Sequence, residues 1–134
     1  MNRAFLSSAI EGLVSSYGYD FYHSEESHYP TILCRYPAAH LSTPEFVRIE
    51  GQKQGRVTYR IHLRLVQQGA KLSPSERADL LAEIEQQMIE IFIALSRTER
   101  VAVVENLTIS HTSPTIDNHG ALAMVGEAEV VTIF

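Results

Sequence analysis

The longest strongly periodic segment of this chain is SPSERADLLAEIEQQMIEIFIALSR, residues 73–97, and the segments on both sides of it are predicted to be strands. It begins with a capping-box pattern, because Ser73 can accept the backbone N–H of Glu76 while the Glu76 side chain reaches back, and Pro74 suits the first helical position. No glycine and no later proline interrupts it. Its apolar residues recur at three- and four-residue steps, which predicts one long amphipathic helix. Its main apolar stripe comprises Leu80, Leu81, Ile84, Met88, Ile91 and Leu95.

Two further apolar residues, Ile89 and Ile93, belong neither to this stripe nor to the opposite polar face. The C-terminal half of the helix is therefore apolar over more than half of its circumference. A helix that covers a single sheet does not need so much apolar surface. We expect either the N-terminal helix or another subunit to pack against Ile89 and Ile93.

The segment before the long helix predicts a β-hairpin formed by residues 45–51 and 56–67, with a glycine at each end of the turn. Apolar and polar residues alternate along the second strand, so the sheet should have one buried face and one polar face. The buried set is Val57, Tyr59, Ile61, Leu63 and Leu65, and in the first strand Val47 and Ile49. The polar set is Thr58, Arg60, His62 and Arg64, joined by Arg48 and Glu50.

The other segments complete an α+β domain spanning residues 1–134. The expected order is α-β-β-β-β-α-β-β, an antiparallel sheet with both helices on one face. The patterns predict a helix over 3–17, strands over 19–23, 31–36, 99–110 and 121–134, and loops over 37–44 and 111–120.

Composition excludes several classes of protein. The formal net charge is −5 and the basic residues are scattered, which argues against sequence-specific nucleic-acid binding. No apolar run approaches the roughly 20 residues of a membrane helix, and the N-terminus is a poor signal peptide. Cys34 is the only cysteine, so the chain can form no internal disulfide, and its apolar neighbours indicate a packed core thiol.

Two histidine clusters are candidate metal sites. His23 and His28 flank two glutamates in a turn-like segment, and His111, Asp117 and His119 share the 111–120 loop. Neither spacing matches a ligand signature with a defined geometry, so surface histidines and ordinary turn chemistry are the better interpretation. We predict no catalytic residue, no metal site and no cofactor.

The most informative polar surface is the stripe formed by Arg48, Arg60, His62 and Arg64. One interpretation is a solvated sheet face with cross-strand charge pairs, for example with Glu50. The alternative is a contact surface for an acidic partner or a neighbouring subunit. Together with Ile89 and Ile93, these four residues are the predicted interface.

The order and lengths of the elements resemble the small tail-terminator and tail-completion (head–tail joining) proteins of long-tailed phages and prophages. Those proteins have an N-terminal helix, a hairpin with a long strand like 57–67, one long helix, and closing strands separated by a loop. The resemblance implies a non-enzymatic subunit of a homo-oligomer, usually a six-membered ring, that binds other tail or connector proteins. It places the protein in the host cytoplasm or the virion tail, with residues 51–55 and 111–120 nearest to the partner-binding loops.

A second hypothesis is a small α+β ligand-binding domain or enzyme. Its pocket would lie between helix and sheet, lined either by residues 111–119 or by the stripe from Arg48 to Arg64. A deep pocket with convergent polar groups would favour this hypothesis, and a filled helix–sheet interface would contradict it.

Overall fold

Two helices pack on one face of a mostly antiparallel sheet. The computed structural model describes residues 2–23, 37–51, 55–69, 71–112 and 122–133. Within them lie two helices and six strands, in the predicted order α-β-β-β-β-α-β-β. They are α1 (Asn2–Ser16), β1 (Asp20–His23), β2 (Ala38–Leu41), β3 (Glu45–Glu50), β4 (Arg56–Gln67), α2 (Pro74–Ser96), β5 (Val101–Thr112) and β6 (Leu122–Ile133).

The sheet is ordered β1-β2-β4-β6-β5. β1 and β2 are parallel, and the other pairs are antiparallel. Strand β4 has two successive partners along one side. β2 pairs with its C-terminal half, where Leu41 faces Leu63, and β3 with its N-terminal half, where Ile49 faces Val57. Beside the N-terminal half of β4, the described sheet therefore runs β3-β4-β6-β5, with β3 and β5 as its two edges.

The start of α2 follows from the capping pattern in the sequence. Ser73 Oγ accepts the backbone N–H of Glu76 at 3.2 Å, and Glu76 Oε1 accepts the backbone N–H of Ser73 at 3.0 Å. These two bonds satisfy N–H groups that have no partner within the helix. The helix ends at Ser96, with Arg97 as its C-cap.

The core lies between the helices and the odd-numbered side chains of β4, as the alternation predicts. α2 contacts β5 and β6, while α1 contacts α2 and β1. A Cβ atom at Gly126 of β6 would lie 2.7 Å from both Met88 Sδ and Phe92 Cε2, so this part of the interface is filled. The fully buried core side chains include Leu6, Ile10, Val14, Leu41, Ile61, Leu63, Leu65, Ile84, Met88, Ile91, Leu95 and Val130.

Two strand assignments differ from the sequence prediction. Ala38–Leu41 forms β2 although residues 37–44 are predicted to be a loop, and β5 continues through His111, which is predicted to begin the next loop. β2 is short and framed by prolines, so its extended state comes from pairing with β1 and β4 rather than from local propensity. The predicted strand over 31–36 lies outside the described residues.

A bulge in β3 also changes one predicted parity. The register shifts between Phe46 and Arg48, so that Phe46 faces Tyr59 and Ile49 faces Val57. Phe46 and Ile49 therefore lie on the helix-bearing side, where simple alternation predicts Val47 and Ile49. A bulge adds one residue to a strand, and strict period-two counting fails across it.

Neither described helix has a segment long and apolar enough to cross a membrane.

Candidate interaction surfaces

The face of the sheet away from the helices, here called the far face, carries the predicted polar stripe. Arg48 Nε lies 2.8 Å from Glu50 Oε1 on the same strand, and Arg48 Nη2 lies 3.9 Å from Glu105 Oε2 on β5. The sequence suggested Glu50 as a cross-strand partner. It pairs instead within β3, because residues two apart on a strand share a face.

Arg60 and His62 also face carboxylates. Arg60 lies 3.4 Å from Glu45 on β3 and 3.7 Å from Glu129 on β6. His62 Nε2 lies 3.5 Å from Glu127 Oε1, again on β6. These pairs are exposed or half-exposed, so each contributes little to stability, but together they orient the side chains across three strands.

The far face therefore does not offer an unopposed basic patch at Arg48 and Arg60, because carboxylates lie close to both. An open depression of about 210 Å³ lies beside them. It is smaller than the roughly 300–1,000 Å³ typical of ligand pockets. Its lining residues are Arg60, Asn106, Thr108, Glu127, Ala128 and Glu129.

One end of the far face is buried around His40. The His40 side chain is only 4% exposed and stacks on Tyr22 with ring centroids 5.2 Å apart. Its cross-strand neighbour is Arg64, the last residue of the predicted stripe, which is half-buried. Burial, helped by the positive charge of Arg64, lowers the pKa of His40 to about 4. His40 is therefore neutral at pH 7, and no local sequence pattern predicts its burial.

The predicted apolar flank of α2 lies beside β5. Ile93 is 44% exposed and Ile89 is half-buried. An open groove of about 150 Å³ runs between the C-terminal half of α2 and the bulged part of β5. We call it the flank groove, and its lining is Phe92, Ile93, Ser96, Val104 and Leu107.

The segment that follows α1 contacts the other flank of α2 and leaves Ile93 exposed. The Tyr17 hydroxyl donates to Glu90 at 3.3 Å, and the Tyr19 hydroxyl donates to Gln87. On a helix of 3.6 residues per turn, Gln87 lies about 120° from Ile93, on the side away from Phe92 and Ser96, and Glu90 lies between Gln87 and Ile93. The polar face of α2 is therefore not wholly solvated, because Gln87 and Glu90 bind the segment after α1. Burial in this contact raises the pKa of Tyr19.

A second exposed apolar surface lies at the opposite edge of the sheet. Phe46 and Ile49 of β3, here called the β3 knob, are 51% and 60% exposed. Phe46 meets the ring of Tyr59 edge-on at 6.4 Å, and the Arg3 guanidinium lies 5.6 Å from the centre of the same ring. The sequence does not predict this surface, because alternation places Ile49 in the core and Phe46 on the polar face, and the bulge that turns Phe46 to the helix-bearing side has no sequence signal.

The two histidine clusters are only partly described. His23 is exposed on β1 near Phe21, and His111 is exposed on β5. His28, Cys34, Asp117 and His119 lie outside the described residues. Among the residues that the structure describes, no three His, Cys, Asp or Glu side chains come together as a metal site.

No protein-family model matches this chain, and no curated protein matches it significantly.

Proposed function

We propose that this protein is a non-enzymatic assembly subunit that binds copies of itself through apolar surfaces at the edges of its sheet. The observation that carries the proposal is the exposure of Ile93 and Leu107 along the flank groove. Contiguous apolar exposure on a small domain is typical of a protein–protein contact, whereas isolated exposed apolar residues are common and need no explanation.

The assembly that we propose is a phage or prophage tail, in the manner of tail-terminator or tail-completion proteins. The support is the resemblance in element order, together with two exposed apolar surfaces on one chain. In this proposal the protein forms a closed ring, with six subunits as is usual for those proteins, that contacts other tail or connector proteins. It would act in the host cytoplasm or in the virion tail.

The alternative of a ligand-binding domain or enzyme has less support. The helix–sheet interface is filled around Gly126 by Met88 and Phe92. The depression on the far face is open and small, and its arginine is opposed by carboxylates. These features do not provide the enclosed, convergent polar pocket that such a function needs.

Sedimentation of the purified chain over a wide concentration range tests the proposal. We expect the wild-type protein to form species larger than a monomer as its concentration rises. We expect Ile93→Glu to remain monomeric and folded, since a carboxylate cannot enter an apolar contact without losing its hydration. Ser8→Glu, which adds the same charge at an exposed position of α1, is the control. A wild-type chain that stays monomeric at its solubility limit would overturn the proposal.

A further inference from the structure

We propose that the β3 knob of one copy docks into the flank groove of the next copy. This interface rests on the proposed function, because it specifies how one subunit binds another. The chain itself supplies both partners: two projecting apolar side chains at one edge of the sheet and an apolar recess at the other.

The groove has the size of a side-chain recess rather than of a ligand pocket. Its volume is about 150 Å³, below the roughly 300–1,000 Å³ of small-molecule sites. None of the described residues that line it is charged. Ile93 and Leu107 form its exposed rim, at 44% and 37%, while Phe92 is buried at 2%. Such a recess can accept a projecting aromatic or branched side chain without burying a charge.

The knob is suited to enter such a recess. Phe46 and Ile49 both lie on the helix-bearing side of β3, and their charged neighbours Arg48 and Glu50 lie on the far face. Phe46 and Ile49 are three positions apart and would lie on opposite faces of a regular strand. The bulge between Phe46 and Arg48 places both side chains on the same face. The knob can therefore be desolvated without drawing the Arg48–Glu50 ion pair out of water.

The positions of the two surfaces determine the symmetry of the contact. In the described sheet, β3 and β5 lie on opposite sides of β4 and β6. A contact between two different surfaces of the same chain is heterologous, and repeating it produces a ring or an open filament. A two-fold dimer would instead pair one surface with itself. The arrangement thus favours head-to-tail assembly.

Mixing two complementary variants tests this interface. Ile49→Glu removes the knob and leaves the groove, and Ile93→Glu removes the groove and leaves the knob. We expect each variant alone to associate at least about tenfold more weakly than wild type. An equimolar mixture should form a 1:1 heterodimer and nothing larger, because only one intact knob and one intact groove remain. Sedimentation with one variant fluorescently labelled measures this directly.

The outcomes separate this interface from the broader proposal. If the wild type associates and Ile49→Glu still does so, the knob is not the partner of the groove, and assembly uses another contact. If both variants are monomeric and their mixture forms no heterodimer, the head-to-tail pairing is wrong. A monomeric wild type contradicts assembly itself. Circular dichroism checks that the variants are folded, and Ile49→Thr and Ile93→Gln replace any variant that is not.

Discussion

At the scale of single residues, Gly126 is where β6 meets the side chains of α2 most tightly. A Cβ atom there would lie 2.7 Å from both Met88 Sδ and Phe92 Cε2, and both side chains are buried. We predict that Gly126→Ala lowers the free energy of unfolding by about 1–3 kcal/mol, the usual cost of overpacking. Urea denaturation measures the change.

The matched control is Gly12→Ala on the exposed side of α1. A Cβ atom at Gly12 meets nothing within 4 Å. Alanine has the higher helix propensity, so we expect this substitution to raise the free energy of unfolding by roughly 0.5–1 kcal/mol. If both substitutions stabilised the protein, the close packing of α2 on Gly126 would be contradicted.

His40 makes stability depend on pH. Its folded-state pKa of about 4 lies below the ordinary value of 6.5, because the ring is buried next to Tyr22 and Arg64. Between these two values the unfolded chain binds a proton that the folded chain does not. The contribution of neutral His40 to the free energy of unfolding is therefore complete above pH 6.5, and it is lost as the pH falls towards 4.

We predict that His40 alone removes about 2 kcal/mol of stability between pH 7 and pH 5. The measurement is urea denaturation at both pH values for the wild type and for His40→Gln, which cannot take up this proton. His23→Gln, at an exposed position of β1, should keep the wild-type pH dependence. Equal pH dependence in His40→Gln and wild type would show that His40 is not held neutral by burial.

At the scale of elements, the capping box anchors the start of α2. We predict that Ser73→Ala lowers the free energy of unfolding by about 1 kcal/mol, since it leaves the Glu76 N–H without its acceptor. Ser75→Ala lies in the same exposed first turn and is the control. A change of similar size in both variants would point to a general effect of serine removal and not to the cap.

The core stripe of α2 and its exposed apolar flank should respond differently to charge. Ile91 is fully buried, whereas Ile93 is 44% exposed. We predict that Ile93→Glu changes the free energy of unfolding of the monomer by less than about 1 kcal/mol. Ile91→Glu should cost several kcal/mol or prevent folding, because it buries an ionisable group in the core. Thermal unfolding of dilute monomer compares the two, and a severe loss in Ile93→Glu would mean that its own chain covers this flank.

At the scale of the whole molecule, salt distinguishes the two candidate surfaces. Contacts between apolar surfaces persist or strengthen in salt, whereas exposed ion pairs are screened. We predict that raising NaCl from about 0.05 M to about 1 M leaves the self-association of the wild type unchanged or tightens it. Sedimentation at both concentrations provides the measurement. Dissociation at high salt would instead implicate the far-face stripe of Arg48 and Arg60.

Much of the fold could be predicted from local patterns. The hairpin of β3 and β4 and the limits of α2 followed from alternation, capping and helical periodicity. The apolar flank of α2 was visible too, because Ile89 and Ile93 depart from the main stripe. These features depend on side chains near one another in sequence, which is where sequence patterns are informative.

Local sequence patterns therefore establish the element order, the core stripe of α2 and the existence of a surplus apolar flank. They do not establish which flank of α2 stays open, that Phe46 and Ile49 are exposed at the opposite edge, or that His40 is buried. These three properties depend on strand order, on a bulge and on contacts between distant segments. The packing of the whole chain sets them, and no local periodicity records them.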